Sequence, residues 1–329
     1  MKTNRCLEED WDHSGLSGLQ LAERGISSVA EYIANRKERL RQKDELLAYL
    51  AQPDVSGTDK GHARCAYLLH NGKLPFQCRH CFLLPGNCVC GRVRKFAPRT
   101  KVVISMHPDE WGKGSNTGCL CAASLAGGEM LMRGHKQHDD QLQALLDDPA
   151  FTCAMLWPGD DALAPQQLLE LAQQRGTRIA LIALDGTWDC ARKMKSRYPP
   201  GLLMLKVPAH LALPDASRQR QQQWEEQQQQ QQPEQPLEQR QQQVPLQQQQ
   251  HTAFDLEAGN AAQNGRVCTL EAVAGALLAL EGDVAVHDGL LHALKLKVDA
   301  MRRQKHMEEV YGTTAEQGRN GCLPAVSHP

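Results

Sequence analysis

No apolar run in this 329-residue chain reaches the roughly 18 residues a membrane-spanning helix needs, so no membrane span is expected. Aromatic residues are scarce, at 5%, and mean hydropathy is −0.50. Much of the length is therefore expected as polar extension around a core that the 41% hydrophobic content is enough to build. No leader sequence is expected: Glu8, Glu9, Asp10 and Asp12 lie where an organelle transit peptide is poor in acids. The twelve cysteines are spread along the chain rather than packed into a short scaffold. That points to a reducing compartment and a soluble cytoplasmic, or nuclear, protein. Two phosphate-binding loops are absent as well. No G-x4-G-K-[ST] occurs, and Gly112, Gly114 and Gly118 are spaced wrongly for G-x-G-x-x-G. Nothing in the chain calls for an obligate protein partner.

The formal net charge of −1 argues against a nucleic-acid partner, but its distribution argues for one. Between Lys73 and Pro108 there is no Asp or Glu, while Lys73, Arg79, Arg92, Arg94, Lys95, Arg99 and Lys101 all fall there. A local positive face steers polyanions whatever the total; a solvated loop is the plain alternative.

Four regions follow from the patterning: a helical extension over residues 1–60, a cysteine-rich knuckle over 61–100, an α/β domain over 101–310, and a disordered tail over 311–329. From Gly15 to Gln52 apolar residues recur at helical spacing, with Pro53 and Gly57 ending the helix. Strands are expected at Lys101–Met106, Thr152–Leu156, Arg178–Leu184 and Leu202–Val207, alternating with helices such as Pro165–Arg175. That alternation predicts a largely parallel sheet. From Gln219 to Gln250 there are 19 glutamines, so residues 219–262 read as a disordered insertion. Helices resume at Leu270–Glu281 and Val286–Val310, the second carrying Lys295, Lys297, Arg302, Arg303 and Lys305 as either a solvated face or an RNA contact.

Cys78, Cys81, Cys88 and Cys90 form C-x2-C-x6-C-x-C. Zinc takes four soft ligands in a tetrahedron, and a C-x2-C turn can aim two thiolates at one ion. Disulfides or free thiols are the alternative, and His80 could stand in for a thiolate. Asp185-Gly186-Thr187-Trp188 is the most telling motif: an acid, a flexible residue, a hydroxyl and an indole where an apolar run ends. The C-terminal edge of strands in open α/β sheets is where ligands bind. A helix N-cap at Asp185 with Trp188 as core filler explains the same residues without chemistry.

Further motifs stand in order around it: His107-Pro108-Asp109-Glu110, Ser115-Asn116-Thr117-Gly118, Trp157-Pro158-Gly159-Asp160-Asp161, and Cys268-Thr269-Leu270-Glu271-Ala272. Together with Asp185 to Met194, this series resembles the DTW-domain family of tRNA-uridine aminocarboxypropyltransferases, from about Arg64 to Tyr311. The resemblance implies a SPOUT-like, knotted, mostly parallel sheet, and transfer of a 3-amino-3-carboxypropyl group from S-adenosylmethionine to N3 of a tRNA uridine, releasing methylthioadenosine. It also implies a structural Zn2+ at the cysteines, since related proteins carry a similar cluster.

Residue by residue, the resemblance gives Asn116, Thr117 and Gly118, with Pro158 and Gly159, a cofactor-binding role, and places Glu110, Thr269 and Glu271 in a second tier. Thr269 also reads as a helix N-cap with Glu271 in its first turn. Trp188 serves as a pocket wall or as core. Asp185, with Thr187 orienting, is either general base for N3 or a positioning group; an ordinary Asp titrates near about 3.9, low for a base at neutral pH. Arg79, Arg92, Arg94 and Lys95 are expected on tRNA phosphates, and Arg218 or Arg220 on phosphate or the cofactor carboxylate. Two positions depart from the family, Ser217 where an aromatic is common and Cys119 where Arg is common. A noncatalytic zinc-bearing RNA-binding module and a SPOUT-like RNA methyltransferase are the alternative readings.

Overall fold

The computed structural model describes residues 18–23, 25–74, 76–208, 211 and 267–311, with residues 19, 20, 23 and 306–311 by backbone only. The glutamine-rich insertion, Arg218, Arg220 and the tail beyond Tyr311 lie outside the described residues. The implied knot turns on the path of residues 212–266, which lie outside them too.

The chain divides into two compact units. Among the described residues, one holds those up to Arg92, Gly112–Gly114 and those from Lys295 to Tyr311; the other holds Val93–Trp111 and those between Ser115 and Leu294. In the first, the expected long helix is two. Helix α1 (Gly18–Glu23) stops at Gly25, whose φ of 67° suits glycine, and α2 (Val29–Leu50) restarts behind the N-cap Ser28, which accepts from the Glu31 amide. Leu21, Ile26 and Tyr32 pack with Val29 and Phe76 as a small core. Gly57 does not end a helix but begins one, α3 (Gly57–Asn71), capped by Ser56 accepting from the Asp59 amide.

The second unit is α/β. Five strands, β1 (Lys101–Met106), β2 (Glu129–Met132), β3 (Phe151–Leu156), β4 (Arg178–Asp185) and β5 (Leu203–Leu205), form one parallel sheet in the order β2-β1-β4-β3-β5. Helices α4 (Gly118–Ser124), α5 (Lys136–Asp147), α6 (Pro165–Arg175) and α7 (Trp188–Lys195) alternate with the strands. Helices α8 (Thr269–Glu281) and α9 (Val284–Tyr311) follow. Both faces of the sheet are covered, which is why the strands read as continuous apolar runs. Val103, Ala180 and Ile182 face Leu142 and Leu145 of α5 and Tyr198. Ile179 and Leu181 face Leu168 and Ala172 of α6 and Ala276 and Leu280 of α8. Tyr198 donates its hydroxyl to Ser105 at 2.7 Å within the core. At Gly289 of α9 an added Cβ would lie 2.0 Å from the Phe96 ring, so the glycine lets the ring seat against the helix.

Candidate functional site

The sheet order creates the site. After β1 the chain leaves toward β2, and after β4 it leaves in the opposite direction, past β3 to β5. Diverging connections open a crevice between β1 and β4 at their C-terminal ends. Met106 and Asp185 are paired there in register, and the His107 amide donates to the Asp185 carbonyl at 2.8 Å.

Asp185 is 5% exposed, and both its carboxylate oxygens are held. The Thr269 hydroxyl donates to Oδ1 at 2.7 Å, and the buried Asn116 amide donates to Oδ2. Asn116 in turn accepts from the Cys119 amide at 3.0 Å, tying the β1–α4 loop to the start of α4. Gly118 completes the enclosure: a Cβ there would lie 2.9 Å from Ile104 Cγ2 and 3.0 Å from Asp185 Cγ and Oδ2. Three segments separated by 69 and 84 residues thus meet at one carboxylate.

The start of α8 departs from expectation. Its N-cap is Cys268 rather than Thr269, and Glu271 bends back to accept from the Cys268 amide at 2.7 Å. Moving the cap one residue earlier leaves the Thr269 hydroxyl for Asp185. Burial raises the Glu271 pKa against the opposing hydrogen bond from Cys268. Burial first, and Glu271 second, push the Cys268 thiol up to about 12, while a hydrogen bond with Thr117 opposes them. Burial likewise holds the Cys121 thiol well above its ordinary value. Burial thus favours the neutral thiol, the poorer nucleophile, at Cys268 and Cys121.

At the DGTW corner the helix cap is Thr187, not Asp185: its hydroxyl accepts from the Cys190 amide at 3.3 Å. Gly186 is tight, with an added Cβ 3.3 Å from both His107 Cβ and Cys190 Cβ. Trp188 is half-buried and meets Trp157 edge-on, ring centroids 5.3 Å apart at 74°. That contact links the β3 loop carrying Pro158 and Gly159, a turn in which the Ala162 amide donates to the Gly159 carbonyl at 3.2 Å, to the DGTW helix. Glu110 is buried at the end of a 3-10 turn, Pro108–Glu110.

In the other unit, Cys78, Cys81, Cys88 and Cys90 bring their sulfurs within 4.8 Å of one another, and His80, exposed, stands outside the group. A tetrahedron of sulfurs about 2.3 Å from a zinc ion has edges of about 3.8 Å. Here Cys78 and Cys90 are 3.7 Å apart and Cys81 and Cys88 are 3.6 Å apart. The four side chains can hold a metal ion, and all are free thiols rather than disulfides. Without a cation the cluster resists full ionisation. Hydrogen bonding with Cys90 holds the Cys81 thiol down to about 4, while burial pushes Cys88 up to about 11 and the bond to Cys81 pushes Cys90 up. A divalent ion lets all four lose their protons. The knuckle turn is shaped by Phe82, fully buried at φ 59°, with the Phe82 amide donating to the Cys78 carbonyl and the Cys78 amide to the Leu83 carbonyl, both at 2.9 Å. Within this unit α9 supports it: Gln304 accepts from the Leu84 amide at 3.0 Å, and the Lys297 ammonium lies 5.8 Å from the Phe82 ring centroid. Lys297, expected on a solvated or RNA-facing side, is 1% exposed.

A DTW domain model matches residues 75–302. The chain belongs to the DTW-domain family. No solved structure matches it.

The DTW match spans the cysteine cluster as well as the β1/β4 crevice. Arg79, Arg92, Arg94 and Lys95 are all exposed, but three of them already have local partners. The Arg79 guanidinium donates to the Leu69 and His70 carbonyls at the end of α3, Lys95 donates to the Ala123 carbonyl, and Arg94 lies over the Phe96 ring at 5.3 Å. Residues without a prior role also enter: His107 beside Asp185, Cys268 as cap, and Lys195, whose ammonium sits 5.3 Å over the Trp157 ring. His107 and Cys268 lie in motifs that the sequence already offered, and Lys195 had a signal of its own, its seven-residue spacing from Trp188 on one helix. Among the described residues no helix is long and apolar enough to cross a membrane.

Proposed function

We propose that this chain transfers a 3-amino-3-carboxypropyl group from S-adenosylmethionine to N3 of a tRNA uridine, releasing methylthioadenosine. The observation that carries the reading is the DGTW carboxylate of a DTW-family chain, buried and gripped by Asn116 and Thr269 at the switch point of a parallel sheet.

The residues fit a sulfonium amino acid with a nucleoside. A carboxylate is an anionic, acceptor-only group, which suits Asp185 to an ammonium group. The Asn116-Thr117-Gly118 loop brings backbone close to that carboxylate, and the half-buried Trp188 supplies apolar wall. When bound, S-adenosylmethionine supplies an electrophilic methylene beside its sulfur; the N3–C bond forms as the C–S bond breaks, the sulfur keeps the electron pair in methylthioadenosine, and the N3 proton passes to water. The protein's task is orientation. Burying the methyl and presenting the propyl carbon selects this transfer over methylation, and such alignment supplies about 7 to 11 kcal/mol. With both oxygens already engaged, Asp185 acts as a positioning group. The cysteine cluster, loaded with zinc, supports the fold of the knuckle.

Purified protein incubated with S-adenosylmethionine and an unmodified tRNA transcript tests the reading by nucleoside mass spectrometry. Methylthioadenosine and an aminocarboxypropyl uridine are expected, and Asp185→Asn abolishes both while keeping its far-ultraviolet circular dichroism. S-adenosylhomocysteine with a methylated base would make the protein a methyltransferase, and RNA binding without either product would make it a noncatalytic module.

A further inference from the structure

Between Gly186 and Val207 the chain carries five cations, Arg192, Lys193, Lys195, Arg197 and Lys206, against one acid, Asp189. Arg192, Lys193 and Arg197 are exposed on α7 and in the turn just beyond it. This basic face adjoins the indole pair. Trp188, Arg192 and Lys195 recur at i, i+4 and i+7, so they line one side of α7. Two of them meet Trp157 of the β3 loop: Trp188 by its edge, and Lys195 with its ammonium over the ring. Trp157 is thereby propped in place while part of it stays open to solvent.

The helix dipole accounts for cations in the last turn of α7, namely Arg192, Lys193 and Lys195. It accounts neither for the seating of Lys195 on an indole nor for Arg197 and Lys206 outside the helix. Cations bordering a solvent-reachable aromatic ring are how proteins hold single-stranded nucleic acid, with phosphates on the charges and a base on the ring.

We propose that α7 and Trp157 form an RNA contact, in which Arg192, Lys193 and Arg197 bind phosphates of a single-stranded tRNA loop and Trp157 stacks one of its bases. This rests on the tRNA reading above and specifies where the RNA lies. The opposing charges near this face are Asp189, paired with Arg192, and the exposed Asp160 and Asp161 of the Trp157 loop.

The test is fluorescence anisotropy of a labelled, unmodified tRNA transcript with full-length protein, without S-adenosylmethionine, across a salt series. Lys193→Gln with Arg197→Gln removes two phosphate contacts, so the slope of log affinity against log salt becomes shallower by about 1.5. Trp157→Ala weakens binding about fivefold or more, and Trp157→Phe restores most of it. Thermal melting checks that each variant folds. Wild-type affinity and salt slope in the double variant, or undiminished binding by Trp157→Ala, overturns the proposal and leaves the transfer reading standing. A wild-type protein that binds no tRNA overturns both. If the double variant instead lost binding to anionic vesicles while keeping tRNA, the face would belong to a membrane and the proposal would fall.

Discussion

Gly118→Ala separates two opposed physical effects at one atom. Alanine is the better helix former, so a methyl at Gly118, the first residue of α4, should stabilise by at most about 1 kcal/mol if only the helix mattered. The added carbon would, however, stand 2.9 Å from Ile104 Cγ2 and 3.0 Å from the Asp185 carboxylate. Ordinary contact is about 3.5 to 4.0 Å, so the neighbours must retreat by about 0.5 to 1 Å. Neither is the loose end of a long side chain: Ile104 is fully buried in β1, and Asp185 is pinned by Thr269 and Asn116. Overpacking costs about 1 to 3 kcal/mol, and each hydrogen bond to the carboxylate is worth about 1.5 to 3 kcal/mol. The loss outweighs the gain, and a net destabilisation of about 2 kcal/mol is expected. In a unit of this size that lowers Tm by about 4 to 8 °C. Transfer should fall about tenfold or more, since a 1 Å misplacement costs about 10²-fold. Gly61→Ala is the matched control. It lies inside α3 with nothing within 4 Å of the added carbon, and should gain about 0.5 to 1 kcal/mol. Equilibrium denaturation of both variants, with initial rates of transfer, decides the matter. A Gly118→Ala protein as stable and as active as wild type would mean that Asp185 has room to spare and that the enclosure described here is wrong.

Thr269→Val, nearly isosteric, removes the donor to Asp185 Oδ1 and should cost about 1.5 to 3 kcal/mol with a matching loss of transfer; Thr269→Ser should restore both, as read by denaturation and product formation. Cys81→Ser should empty the cysteine cluster of zinc by elemental analysis and lower Tm, and a chelator should do the same to the wild type; full zinc content in the variant would remove Cys81 from the ligand set. Glu271→Gln keeps the capping geometry without a buried charge. Because burial raises the Glu271 pKa above 4.5, the wild type holds that stability below its unfolded pKa and loses it as pH rises through the raised value. The variant should therefore be the more stable near neutral pH, with the difference closing in acid; denaturation at several pH values reads it.

The parts that sequence alone determined are those whose pattern is local. β1, β3 and β4 were legible because strands covered on both faces must be apolar throughout, and α6 because Pro165 and Gly176 mark its ends, Gly176 in the left-handed conformation. The cysteine spacing announced a possible metal site for the same reason. β2 was invisible: Glu129-Met130-Leu131-Met132 has no β-branched residue, and only pairing with β1 makes it a strand. Capping at the start of α8 and at α7 also misled, since Thr and Asp both suit a cap and only neighbouring atoms choose between them. Lys297 reads as a surface lysine on a basic helix, yet packing buries it. The site itself needed tertiary structure most of all. Asn116, Asp185 and Thr269 lie far apart in the chain, and what brings them together is the reversal of strand order between β1 and β4, a property of how strands choose neighbours rather than of any residue's own preference.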